Sequence, residues 1–169
     1  MPELIDRYRN RPLQGIGDWV SEEIVASIPR KAEELQVILG RIGDTRMVAV
    51  QNVKMEGATG VPARSISVAH DQIVGVLEGL DAAGTQYRKL SGVPEDELPV
   101  FPMVCGDKGG IAVKLDRHNA FFNIKLSKKM NQEWAILRPN EVEDVIRALV
   151  TAYDRLRSAS PEAAEDLPF

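Results

Sequence analysis

One order of predicted elements occurs twice along the chain: several extended segments, then one amphipathic helix. A loop-like stretch at 91–100, which contains Pro94 and Pro99, separates the two runs. The runs agree in order and spacing, with little residue identity. This order predicts an α+β fold of two repeats, each with antiparallel strands followed by a helix. The expected strands lie at about 35–42, 46–55, 62–68, 101–106, 110–117, 120–128 and 133–138, and the expected helices at about 69–83 and 141–157.

Both expected helices carry an apolar stripe at helical spacing, formed by Ile73, Val76, Leu77 and Leu80 in the first and by Val142, Val145, Ile146, Leu149, Tyr153 and Leu156 in the second. Asn140 and Glu143 have the spacing of a capping box at the start of the second helix. Gly75 and Gly79 lie four residues apart in the first helix. We expect something to pack closely against these two glycines.

The first 30 residues contain a further pattern. Asp18 can serve as an N-cap, Val20, Ile24 and Ile28 repeat every four residues, and Pro29 can end a helix. We therefore expect a helical arm over 1–30, a binding domain over 31–157 with repeats at about 31–90 and 100–157, and a flexible acidic tail over 158–169.

Alternation along the expected strands predicts sheets with one face in the core. Phe122, Ile124 and Leu126 alternate with Phe121, Asn123, Lys125 and Ser127. The polar set should face water, as is common in antiparallel sheets.

Residues 108–138 carry seven Lys or Arg side chains against two acidic ones, together with three aromatic residues, although the protein has a formal net charge of −4. A basic stretch interleaved with aromatic side chains suits a nucleic-acid strand, because cations bind phosphates and rings stack on bases. The candidate nucleic-acid-binding residues are Lys114, Arg117, Phe121, Lys125, Lys128, Lys129, Trp134 and Arg138.

The chain finishes with the acidic segment Glu165-Asp166-Leu167-Pro168-Phe169. This segment resembles the C-terminal tip of bacterial single-stranded DNA-binding proteins, with Leu167 where that family has Ile. The resemblance implies that Asp166, Leu167, Pro168 and Phe169 bind replication and repair proteins. The Phe169 ring can fill an apolar pocket, while the acidic residues steer the tail towards a basic partner surface.

The body is similar to the Whirly, Pur-alpha and positive-cofactor-four group, which also bind single strands. The passages that carry this likeness run from Arg64 to Val74 and from Phe122 to Lys129, each a strand near a later amphipathic helix. A five-stranded barrel of the oligonucleotide/oligosaccharide-binding type is the alternative fold.

The sequence lacks the motifs of a zinc site and of a phosphate-binding loop. Cys105 is the only cysteine, and His70 and His118 are the only histidines, so no Cys/His zinc set can form. The glycine-rich run at 106–110 lacks the spacing of a phosphate-binding loop. We expect a protein that is not an enzyme and needs no cofactor. No apolar run is long enough for a membrane span or a signal peptide, so we expect a cytoplasmic protein.

Two functions follow from these patterns. The first is a single-stranded DNA-binding protein of replication, recombination or repair, able to form a homo-oligomer, that recruits partners through its tip. The second is a non-enzymatic protein-interaction module, such as a regulator or inhibitor. The combination of a basic sheet with the acidic tip favours the first.

Overall fold

Alternating apolar residues build two four-stranded antiparallel sheets, one in each half of the chain. The computed structural model describes residues 19–31, 33–56, 59–90, 92–98, 100–106, 109–118, 121–128 and 133–159. The first sheet has the order β1 (Trp19–Pro29), β2 (Glu33–Ile42), β3 (Thr45–Glu56) and β4 (Thr59–Val68). The second has the order β5 (Val100–Gly106), β6 (Gly109–His118), β7 (Phe121–Lys128) and β8 (Trp134–Leu137).

Each sheet is followed by one helix, α1 (Ile73–Gln86) after β4 and α2 (Val142–Ala159) after β8. The predicted α+β order of two strand-then-helix repeats is confirmed. Over the described residues both sheets are open and form no closed barrel, so the alternative barrel fold was wrong.

The N-terminal helical arm was also wrong where the structure describes it. Trp19–Pro29 is a strand, paired antiparallel with β2. The spacing of four between Val20, Ile24 and Ile28 fits a strand as well as a helix, because four is a multiple of the strand period of two. The first repeat therefore begins at or before Trp19, and residues 1–18 lie outside the described residues.

Each helix packs on the sheet of the other repeat. Helix α1 contacts β5 and β6, whereas α2 contacts β1, β2 and β3. A Cβ atom added at Gly79 would lie 2.8 Å from Cγ2 of Val113 in β6, so this glycine lets α1 approach the second sheet closely. The expected close packing is confirmed at Gly79. Apolar residues of both sheets and both helices form one continuous core, so the repeats are interleaved rather than independent.

Both helices start with the same cap. The backbone N of Ala69 donates to Oε1 of Gln72 at 3.0 Å, and the backbone N of Arg138 donates to Oε1 of Glu141 at 2.7 Å. A short 3₁₀ turn lies between cap and helix in both cases. The Asn140–Glu143 capping box was therefore wrong, since the cap of α2 uses Arg138 and Glu141. The carboxylate of Glu141 is better placed because it is also held by Arg30, with Nη2 to Oε1 at 2.6 Å.

The shared cap sets the register between the repeats. Ser67 and Ile136 both lie two residues before the capped residue, Ala69 or Arg138. Ser67 pairs with Ala49, and Ile136 pairs with Lys125. Continuing across the sheets, Ala49 pairs with Ile38, and Lys125 pairs with Lys114. Position by position, Ile38 thus corresponds to Lys114 and Ala49 to Lys125.

This correspondence shows that the outer faces of the two sheets differ. Ile38 and Ala49 are fully buried, in a small apolar cluster that includes Trp19. Trp19 lies directly over Gly40, where an added Cβ would be 2.4 Å from the indole Cζ2. The expectation that both outer faces meet water was wrong for the first sheet. On the second sheet, Lys114 and Lys125 are half-buried and reach the surface.

Candidate nucleic-acid interface

The outer face of the second sheet is the part of the described structure that brings predicted site residues together. Strand alternation places Ile111, Val113 and Leu115 of β6 in the core, which leaves the intervening side chains on the opposite face. We call this surface the cationic face. Its described side chains, all half-buried, are Ala112, Lys114, Asp116, Asn123, Lys125, Ser127, Trp134 and Ile136.

Lys114 and Lys125 are direct cross-strand neighbours on this face. Like charges placed opposite each other on a sheet destabilise it unless something compensates them. Neither lysine forms an ion pair with a carboxylate of the described residues, although Asp116 lies on the same face. A pair of cross-strand lysines with no carboxylate partner among the described residues, on a partly exposed sheet, is an arrangement that can bind an anion such as a phosphate.

Trp134 lies on the cationic face and contacts two cations. Nζ of Lys125 is 4.7 Å from the centroid of the indole ring, and Cζ of Arg64 is 4.6 Å from it. Cation–π attraction explains both contacts. Strand alternation agrees with these contacts, because the neighbouring residues Ala135 and Leu137 of β8 are fully buried in the core.

Arg64 is a residue of this surface that was absent from the predicted site. It belongs to β4 of the first repeat and meets Trp134 where the two sheets adjoin. The sequence offers no signal for this contact, since 70 residues and a change of sheet separate the two side chains. The arginine becomes part of the surface only through the tertiary fold.

Arg117 was predicted to bind nucleic acid, and its side chain lies elsewhere. Its Nη2 donates to the carbonyl oxygen of Leu90 at 3.0 Å, and its Cζ lies 4.8 Å from the Phe122 ring. Odd-numbered residues of β6 share the face of Val113 and Leu115, so Arg117 points away from Lys114 and Lys125. Arg117 therefore does not lie on the cationic face, because alternation puts neighbours in a strand on opposite faces.

Lys128 was expected to be exposed, and that was wrong. Its side chain is only 3% exposed and lies 3.5 Å from the carboxylate of Glu133, which is 6% exposed. Nζ of Lys128 donates to Oγ of Ser67 at 2.7 Å. The backbone N and the hydroxyl of Ser67 both donate to Oε1 of Glu133, at 2.8 and 2.7 Å. Lys128 therefore joins the second sheet to β4 and is not available to a phosphate.

The other predicted site residues are only partly described. Arg138 is exposed, but it follows the end of β8 and its backbone caps α2. Phe121 lies in β7, where alternation gives it the parity of Asn123 and Lys125, and its side chain is outside the described residues. Lys129 and the tip residues Asp166, Leu167, Pro168 and Phe169 also lie outside them.

His70 lies in the short 3₁₀ turn before α1 and stacks on Tyr153 of α2, with ring centroids 4.8 Å apart. The part of the chain that the structure describes contains no cluster of three potential metal ligands. It also contains no helix of the length and hydropathy needed to span a bilayer.

The chain matches no protein-family model and no curated protein. Its function therefore has to be argued from the residues of the cationic face and of the tail.

Proposed function

We propose that the protein binds single-stranded DNA on the cationic face of the second sheet and acts in replication, recombination or repair. The observation that supports this most is the cross-strand pair Lys114 and Lys125, which has no carboxylate partner among the described residues and of which Lys125 lies against Trp134. The lysine ammonium groups can bind the phosphates of a nucleic-acid strand, and the Trp134 ring can stack on its bases. DNA of these processes is intracellular, so the same proposal assigns the protein to the cytoplasm.

The proposal assigns one binding face to each chain. On the first sheet the positions equivalent to Lys114 and Lys125 hold Ile38 and Ala49, which are buried and uncharged. The position equivalent to Trp134 holds Ser65, which is also buried. These described positions of the first sheet therefore offer no site for a phosphate. A strand of DNA would therefore follow β6, β7 and β8 and reach Arg64 at the junction of the sheets.

The second part of the proposal concerns the tail, where Asp166 to Phe169 would recruit replication or repair proteins. The acidic residues and the terminal aromatic side chain support it through their likeness to the tip of bacterial single-stranded DNA-binding proteins. Binding of DNA and recruitment of partners would then use separate parts of the chain.

Fluorescence anisotropy with labelled oligo-dT at several salt concentrations tests the first part. We expect the wild type to bind, and the double variant Lys114→Ala/Lys125→Ala to bind with a log–log salt slope shallower by about 1.4, because each lost phosphate contact removes about 0.7. The matched control is Lys31→Ala/Lys89→Ala, which removes two exposed lysines elsewhere and leaves the same net charge.

The results separate the possible functions. A control variant that behaves like the wild type, together with a weakened Lys114/Lys125 variant, supports the cationic face. Equal slopes for all three proteins would place the DNA site elsewhere. A wild type with no affinity for oligo-dT would contradict the proposed function and favour the protein-interaction module.

A further inference from the structure

Two cations lie against the Trp134 ring. Arg64 and Lys125 are 4.6 and 4.7 Å from its centroid. A base that stacks on the part of the ring covered by Arg64 or Lys125 has to take the place of that cation. We infer, on the basis of the proposed function, that binding is an exchange: an unpaired base replaces the Arg64 guanidinium on Trp134, and the released guanidinium binds a phosphate.

The relative strengths of the two contacts favour this exchange. An exposed cation–π contact raises an equilibrium constant about two- to five-fold. A base stacked on an aromatic side chain raises it about five- to 150-fold. The base therefore outcompetes the cation for the ring. The displaced cation still contributes, because it gains a phosphate and releases a counterion.

Arg64 is the cation expected to leave. Lys125 is opposite Lys114, so its contact with the ring draws its charge away from a like charge. Arg64 forms no hydrogen bond or ion pair with the described residues apart from its place over the ring. Its long side chain can rotate towards a phosphate without breaking any other described contact.

The exchange also defines the ligand class. A base can reach the ring face only if it is unpaired and unstacked from a neighbour, as in a single strand. In a duplex both faces of each internal base are already stacked. The Arg64–Trp134 contact would thus remain intact with duplex DNA, which could bind the lysines alone.

The salt dependence of Arg64→Met distinguishes the exchange from a simple charge effect. Removing one phosphate contact makes the line of log K against log[salt] shallower by about 0.7. If Arg64 acted only through its charge, the lines of log K against log[salt] for the variant and the wild type would meet near 1 M salt. In the exchange, a base can enter the place of Arg64 in the variant without displacing a cation. The binding constant of the variant is therefore about two- to five-fold higher than its lost charge alone would give. We therefore expect the lines to cross at about 0.1–0.4 M salt, above which Arg64→Met binds oligo-dT more tightly than the wild type.

Lys114→Met is the matched control, because Lys114 lies on the same face and makes no contact with an aromatic ring among the described side chains. Its line should approach the wild-type line near 1 M and not cross it earlier. If Arg64→Met melts at a lower temperature than the wild type, Arg64→Gln provides the same comparison. Trp134 emission, measured in a Trp19→Phe background so that it is the only tryptophan signal, gives a second readout: without DNA it should change in the Arg64 variant and not in Lys114→Met.

Two failures can be told apart. A wild type that binds oligo-dT, with an Arg64→Met line parallel to that of Lys114→Met, overturns the exchange and leaves the proposed function standing. A wild type that binds no oligo-dT at any salt concentration overturns the proposed function itself. Equal Trp134 quenching by single-stranded and duplex DNA would also contradict the exchange.

Discussion

The side-chain amide of Asn52 forms two hydrogen bonds with the backbone of Ile136. Its Nδ2 donates to the carbonyl oxygen at 3.0 Å, and its Oδ1 accepts from the backbone N at 3.1 Å. Ile136 lies in β8, the edge strand of the second sheet, so an amide from the first sheet satisfies backbone groups that have no strand partner on that side. Lys128 occupies the position equivalent to Asn52 and reaches Ser67, the position equivalent to Ile136. In each repeat, the side chain at this position (Asn52 or Lys128) therefore hydrogen-bonds to the last strand of the other repeat.

Replacing Asn52 by Leu should destabilise the protein. The Ile136 carbonyl keeps a second donor, Nη2 of Arg30 at 3.0 Å, but the backbone N–H of Ile136 loses its described partner. An unsatisfied donor costs about 1–3 kcal/mol when it is fully buried, and this one is part-buried, so we expect a loss of about 1 kcal/mol in urea unfolding. The control Asn123→Leu, on the half-exposed cationic face, should change stability by less than about 0.5 kcal/mol. Equal effects of the two substitutions would contradict the bridging role of Asn52.

Lys128→Met should lower the stability of the fold, whereas Lys125→Met should weaken DNA binding. Breaking the buried Lys128–Glu133 pair leaves a carboxylate without its cation, which costs about 3–5 kcal/mol. Lys125→Met changes the same kind of side chain in the same strand, but at a half-exposed position, so it should weaken DNA binding with little change in the melting temperature. Adding Glu133→Gln to Lys128→Met should restore much of the stability, because the amide oxygen can still accept from Ser67. If Lys128→Met melts like the wild type, the buried pair does not support the fold.

Gly79→Ala should lower stability despite the better helix propensity of alanine, which by itself favours alanine by about 1 kcal/mol. The added Cβ would lie 2.8 Å from Val113, inside van der Waals contact. Overpacking of a core costs about 1–3 kcal/mol. Val113→Ala should relieve the clash, so the double variant should be more stable than the sum of the single effects implies. A Gly79→Ala variant more stable than the wild type would show that α1 can shift away from the second sheet.

Phe169→Ala should abolish recruitment of replication or repair proteins and leave oligo-dT binding unchanged, if the tip acts as proposed. The measurement is a pull-down with the full chain against a panel of purified replication and repair enzymes, with Ser158→Ala as the matched control outside the tip. Thermal melts of both variants should match the wild type. A large fall in the melting temperature of Phe169→Ala would mean that this ring packs in the folded body, and retention of every partner would contradict recruitment through the tip.

Arg30 connects the two repeats through hydrogen bonds and ion pairs. Its guanidinium contacts Glu141 through Nε at 2.9 Å and Nη2 at 2.6 Å, and it also contacts Glu33. Burial opposes the charged form of Arg30, but the hydrogen bonds and charges of Glu141 and Glu33 outweigh that effect and raise its pKa. The β1–β2 turn and the start of α2 are therefore joined by a cation that stays charged at any pH at which the protein folds.

The sequence by itself determined the repeated order of strands and helix and the faces of the central strands. Alternation depends only on neighbouring residues, so the core positions Ile124 and Leu126 could be assigned without a structure. The same alternation places Lys128 on the core face with Ile124 and Leu126. Its burial therefore follows from the strand pattern, although lysine is usually an exposed residue. For Val20, Ile24 and Ile28, a spacing of four residues satisfied both helix and strand periods, and pairing with β2 decided the outcome.

Only the tertiary structure decided which cations remain at the surface and which become part of the core. Lys125 and Lys128 are the same residue type three positions apart, yet one lies beside Trp134 and the other is buried against Glu133 and Ser67. Their partners come from other strands, because each repeat packs on the other. Arg64 reaches Trp134 for the same reason. Contacts of this kind depend on how two sheets meet, and that geometry is set by the packing of the whole core rather than by any local pattern of residues.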